Sequence, residues 1–403
     1  MMGAYEAAPE AHRKMVDDLL ADTAANGGLA PVDIDQFWVD QEVARKDPFG
    51  VDIPQVPLGA ICNWECIFDE LGEEQDWWRF QYEDEAWALD LSRRYNDLAE
   101  ETVGRRLVPE SPKDPSRKWP EIKGLHDIFE GENLWEGGAS GSWWLKQSAN
   151  DAAELVGVLD RAEERLEDLR EFMLPPEWES EKERLTALGC KVPLYRGQRG
   201  PCTFATSIFG AENLLLLYFD DPALFSRFSD VLGRAIVARG RVLDEEAGYT
   251  PETAPHGWAW ADDNCCLFNV EMYEAFAMPV HRKVFAAYAP DPGDRRYQHS
   301  DSDMAHLLPQ LGSLDLKGTN FGPTLTVSEI REHCPNAVIE GQLAPFTYSR
   351  NEEANMVAEF LRDFDQAREK RGLNFTTAGS INNGSRLSGM RLLMAAIQRY
   401  GRY

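Results

Sequence analysis

The sequence predicts an α/β protein whose parallel strands close into a (β/α)8 TIM barrel, with an N-terminal helical arm and a long loop-rich insertion. Three observations lead there. Short apolar runs ending in small or polar residues alternate with longer amphipathic stretches. Seven such runs can be counted, and an eighth is expected within 100–145. The length, 403 residues, suits one barrel with insertions.

The elements follow in order. Residues 5–26 read as a polar helix with Met15, Leu19 and Leu20 on one side, and 35–46 as a second short helix. Together they make the arm, 1–50, ahead of a catalytic domain over 51–403. Asp47-Pro48-Phe49-Gly50 is a turn signal. The candidate strands are 56–62, 192–196, 257–262, 295–299, 313–318, 337–341 and 374–378. Helices are expected at 152–173, 211–219, 222–246, 272–289, 302–311, 327–333, 351–370 and 388–400. Asp220-Asp221-Pro222 supplies a helix start, since Pro is tolerated in the first turn. The stretch 100–145, rich in Trp, Gly and Pro, reads as an excursion over one end of the barrel. A doubly wound sheet is the alternative. It would usually carry a Gly-rich turn after its first strand, where this chain has Cys62-Asn63-Trp64-Glu65-Cys66.

Composition narrows the function classes. Hydrophobic residues make up 43% and charged residues 27%, a globular balance. Net charge is −28 with no Lys/Arg cluster, which argues against nucleic acid and anionic membranes as partners. Seven cysteines at irregular spacing do not form a disulfide framework and suggest a reducing compartment. The first residues lack a basic region and an apolar run, so no signal peptide is expected, and no run approaches a membrane span. These features lead us to expect a cytoplasmic enzyme acting on a small molecule; a homodimer is allowed.

In barrel enzymes the chemistry sits where strands end. His299-Ser300-Asp301 closes one candidate strand. His299 and Asp301 are the expected ligands of a divalent metal, zinc foremost, or else they orient substrate or move protons. Asp262-Asp263 closes another strand, and two carboxylates that close should differ in pKa, which suits acid–base work. Helix capping is the competing reading for both sites. Glu340 and Gln342 end a third apolar run, with Glu340 a catalytic candidate unless it points to the helix ring. Asn63, Glu65, Trp258, Trp260, Arg196 and Gln342 are candidates for substrate contact, though Trp258 and Trp260 share a strand face and packing would also explain them. Cys62 and Cys66 read as buried thiols, and the adjacent Cys265 and Cys266 lack the usual zinc spacing. Trp64, Trp77, Trp78, Trp135, Trp143 and Trp144 either line a flat substrate or fill the core of the excursion.

At these residues the chain resembles the uroporphyrinogen decarboxylase superfamily. The resemblance rests on Arg199-Gly200-Pro201, Ile208-Phe209-Gly210 with Leu214, and Asp220-Asp221-Pro222. It continues through Asp262-Asp263, Glu271, Tyr273 and Pro279, then Glu340 to Pro345, Ala378 to Ser385 and the closing helix to Tyr400. It covers 190–403 well and 51–100 loosely. It implies a barrel that either decarboxylates a tetrapyrrole or moves methyl groups to or from a corrinoid or thiol. His299-Ser300-Asp301 stands where the methyltransferase branch carries His-x-Cys. Departures qualify the carry-over. The Arg-rich segment of the decarboxylases has no equivalent near 56–70. Gly379 stands where decarboxylases carry a histidine and thiol-activating methyltransferases a zinc-binding cysteine. The resemblance therefore leads to a demethylating methyltransferase for a small methylated substrate, such as an aryl methyl ether or methylamine, with the corrinoid carried by a separate partner protein. The alternative is a decarboxylase or lyase gripping a carboxylate with Arg196 and Arg199.

Overall fold

A computed structural model describes residues 3–136 and 141–403, so 137–140 of the irregular stretch lie outside it. The chain divides into two compact units. One is built mainly from Met1–Pro112 and Gly318–Tyr403, the other from Lys113–Glu136 and Trp143–Lys317.

The first unit takes in the expected arm. Helix α1 (Glu10–Ala25) buries Val16, Leu19 and Thr23, a stripe at helical spacing. His12 meets Asp365 at 2.8 Å and Asp22 meets Arg399 at 2.7 Å, which ties the arm to the C-terminal helices.

Strands β1 (Glu132–Glu136) and β2 (Ser142–Lys146) pair only with each other. They occupy the place where a hidden barrel strand was expected, and that expectation is corrected: the segment forms a separate ribbon. In the second unit β3 (Gln198–Arg199), β4 (Trp258–Ala261) and β5 (Arg296–Ser300) run parallel. In the first unit β6 (Gly318–Phe321), β7 (Val338–Leu343) and β8 (Leu373–Thr377) do the same. The run 56–62 contributes a bridge at Leu58 to Phe375 rather than a full strand. Two other expectations shift. The run 192–196 is coil and its strand starts at Gln198; of the run 313–318, residues 313–317 are a loop and only Gly318 belongs to β6.

Register sorts the second unit's strands into two rows. Arg199, Ala261 and His299 lie side by side on one face. Gln198, Trp260 and Gln298 lie on the other, because successive side chains alternate. Helix α2 (Pro201–Phe209) follows β3 directly and was not anticipated. Helix α3 (Pro222–Glu246) starts as predicted: Asp221 accepts from Leu224 N at 3.0 Å and Pro222 fills the first turn. Helix α4 (Val270–Tyr288) covers β4. Trp258 stacks on Tyr288 at 5.0 Å and Trp260 meets His281 edge-on at 5.2 Å. Each tryptophan hides on the order of 200 Å², worth about 5 kcal/mol before entropy is subtracted.

Candidate metal centre at the ends of β4 and β5

The two strands end together. Asp262 N donates to His299 O at 3.0 Å, one step beyond the named strand. From there the adjacent carboxylates separate. Asp262 turns inward and is fully buried; its Oδ1 accepts from Thr203 N in the first turn of α2 at 2.7 Å. Its Oδ2 is buried without a hydrogen-bond partner. Burial raises its pKa to about 6, against the opposing pull of the Thr203 and Cys202 contacts. Asn264 N donates to Thr203 Oγ1 at 3.0 Å, and Asn264 Nδ2 to Thr206 Oγ1 at 2.7 Å, so α2 fixes the whole turn. A Cβ at Gly200 would stand 2.3 Å from Asp262 Cβ, and only glycine allows this close approach.

Asp263 stays at the surface side, beside the end of β5. One ligand atom each from Asp263, His299 and Asp301 lies within 4.8 Å of the others. His299 Nε2 stands 3.5 Å from Asp263 Oδ1, which also accepts from Asp301 N at 3.2 Å. Partial burial, then the Asp263 charge, raise the Asp301 pKa, while His299 acts the other way. Two carboxylates crowded beside an imidazole are relieved by a cation at their centre. The donor set, two oxygens and one nitrogen, suits zinc or another borderline divalent ion and leaves positions for substrate. His299 and Asp301, the expected ligands, are thus brought together, and Asp263 joins them. Among the described residues a second trio, His256, Asp291 and Asp294, stands before β4 and β5 and is largely exposed.

The other candidates sit elsewhere. Trp258 and Trp260, only 5% and 2% exposed, face α4 on the row opposite His299, which corrects their assignment to substrate contact. Arg196 is corrected likewise. It lies over Tyr288 at 4.5 Å, meets Asp244 at 3.3 Å and donates to Pro255 O, so its guanidinium is a buried fastening. Gln342, in the first unit, is fully buried; its Nε2 donates to Gly322 O at 3.0 Å and Leu325 O at 2.9 Å. That fixes a loop and corrects the substrate role. Glu340 is half-buried in the middle of β7 rather than at its end. Asn63 caps a short turn, accepting from Glu65 N at 3.0 Å, and burial raises the Glu65 pKa. All seven cysteines are free, and Cys62 lies 3.0 Å from Tyr348 Oη in a fully buried setting. Trp77 is a core filler against Phe68 at 4.6 Å, whereas Trp143 and Trp144 are exposed.

Sequence reasoning missed Thr203, whose backbone N–H holds Asp262. Its signal was Gly200-Pro201, a helix start directly after a strand.

The family model for uroporphyrinogen decarboxylase (URO-D) matches residues 160–400. The chain belongs to this family. The matched span contains Asp262, Asp263, His299 and Asp301, the whole of the candidate metal centre, and excludes Asn63 and Glu65. No curated protein matches the chain. Among the described residues no single helix is long and apolar enough to cross a membrane.

Proposed function

We propose that this member of the uroporphyrinogen decarboxylase family is a metal-dependent methyltransferase. It removes a methyl group from a small methylated substrate, an aryl methyl ether or methylamine, and passes it to a corrinoid on a separate protein. The observation that carries this reading is the convergence of Asp263, His299 and Asp301 at the ends of two parallel strands. A (β/α)8 barrel remains the expected scaffold, supported by the parallel runs β3–β5 and β6–β8.

The chemical difficulty is a poor leaving group. A divalent metal, when bound, supplies Lewis-acid polarisation of the leaving oxygen or nitrogen. Asp263, His299 and Asp301 would hold it. Asp262 accepts the α2 backbone N–H and keeps the turn rigid, so that Asp263 is presented at a fixed angle. Its raised pKa also lets it remain neutral behind Asp263 in mildly acid solution, which spares the site a third negative charge.

A decarboxylase that grips its substrate with Arg196 and Arg199 together is less well supported, because Arg196 is committed to Asp244 and Pro255. The test combines elemental analysis with a turnover assay. Purified protein is incubated with methoxyarenes or methylamines and reduced corrinoid, and the demethylated phenol or amine is quantified by mass spectrometry. The proposal expects one metal per chain and product that depends on both metal and corrinoid. Full demethylation by His299→Ala, or carbon dioxide release from carboxylated analogues in place of demethylation, would overturn it.

A further inference from the structure

A cavity of about 440 Å³ lies within the second unit, a size typical of small-molecule sites. Leu125, Leu145 and Phe204 give it apolar walls, and Arg199 and Arg239 give it two cations. Arg239 projects from α3 and is only 8% exposed. Its Nε is buried without a partner, and one terminal nitrogen reaches Tyr195 O at a long 3.3 Å. Arg199 makes two equally long contacts to neutral oxygens, Ser207 Oγ and the Trp143 carbonyl, both at 3.3 Å. Gln198, also in the lining, has both side-chain polar atoms buried and unpartnered. Asp127, next in sequence to the lining residue His126, accepts from Gly124 N at 2.7 Å and pairs with His126 at 3.3 Å, and Asp262, after the lining residue Ala261, is held by Thr203 N.

In a chain of net charge −28, these two arginines meet neutral oxygens. A guanidinium held away from water without an anion, as Arg239 is, is costly, and the cost is recovered when an anion accepts its N–H groups; the half-buried Arg199 adds a second cation. Its planar fork matches the two oxygens of a carboxylate. We infer that this cavity is a binding subsite for a small organic carboxylate with an apolar body, held by Arg199 and Arg239. The subsite stands independently of the metal centre. Ala261 lines the cavity and neighbours His299 in register, so a ligand there has one end near the centre; taking that ligand as the substrate rests on the functional reading above.

Isothermal titration with benzoate tests the subsite, using benzamide as its neutral counterpart and inorganic sulfate as a bare anion. Benzoate should bind at least about tenfold more tightly than benzamide or sulfate, because charged hydrogen bonds are worth that much or more. Arg239→Gln and Arg199→Gln should each weaken benzoate by a similar factor. Arg199 is only half-buried, so its variant remains informative if Arg239→Gln fails to fold. No benzoate binding, equal binding by benzamide or sulfate, or unchanged affinity in a folded variant would overturn the inference. Benzoate binding that survives in a His299→Ala, Asp301→Ala variant without metal supports the subsite even where demethylation fails.

Discussion

The ends of β4 and β5 differ from the end of β7, although both carry acid and amide side chains on parallel strands. At β7 the amide of Gln342 donates to two backbone carbonyls and anchors a loop. At β4 and β5 the carboxylates of Asp263 and Asp301 are crowded together with His299 beside them, and the backbone contact between them, Asp301 N to Asp263 Oδ1, is a long 3.2 Å. Polarity at a strand end therefore does not by itself mark a site. A polar group whose donors local backbone carbonyls satisfy acts as a rivet. One set against groups of its own charge has capacity for a ligand.

The sharpest way to break this contrast is to remove the crowded groups. The double variant His299→Ala, Asp301→Ala should lose its bound metal, and turnover should fall on the order of a hundredfold or more. With a chelator present for both proteins, its stability should differ from that of the native sequence by no more than about 1 kcal/mol, since neither side chain is fully buried and bound metal would itself add stability. Elemental analysis and urea unfolding on the same sample check both halves. Gln342→Leu should do the reverse. It leaves the carbonyls of Gly322 and Leu325 without their donors, at a cost of about 2–4 kcal/mol by urea unfolding. Metal content should not change. A Gln342→Leu protein that lost metal without losing stability would erase the distinction between the two strand ends.

Gly200→Ala acts from behind on the turn that carries Asp263. The new Cβ would overlap Asp262, which α2 holds in place. Overpacking of this kind costs about 1–3 kcal/mol. Displacing a group that orients the ligands should also weaken metal affinity about tenfold or more. Competition with a chromogenic chelator would measure it.

The sequence made part of this legible. The helix start at Asp221-Pro222 could be read because capping is local. His299 and Asp301 could be read because a strand run stopped abruptly in polar residues. Which of Asp262 and Asp263 joins the His299 and Asp301 cluster could not, since a one-residue change of phase exchanges them and only the packing of α2 sets that phase. Trp258 and Trp260 plainly share a face, but which face belongs to the helices depends on α4. The run 192–196 looked like a strand from its apolar residues, yet pairing begins at Gln198, in a strand of two residues that no periodicity could reveal. The cavity arginines were split: Arg199 was visible at a strand end, whereas Arg239 read as one polar position in a long helix.

The smallest effect concerns a second histidine in the same unit. His281 packs under Trp260 on the helix-facing side, fully buried, with Tyr273 Oη 3.0 Å from its Nε2. Burial lowers its pKa from 6.5 to about 3, with the Arg282 charge adding to the effect. The folded state thus keeps the ring neutral while the unfolded chain takes up a proton as pH falls through 6.5. The stability is fully present above that pH and is lost progressively down to about pH 3. Between pH 7 and pH 5.5 the native protein should lose about 1 kcal/mol more than His281→Leu, which has no proton to take up. Urea unfolding of both proteins at the two pH values gives the difference directly, and cancels the contributions of other buried acids. Parallel pH profiles for the two proteins would mean that water reaches His281. The helix-facing row would then be open to solvent, and its distinction from the His299 row would fail.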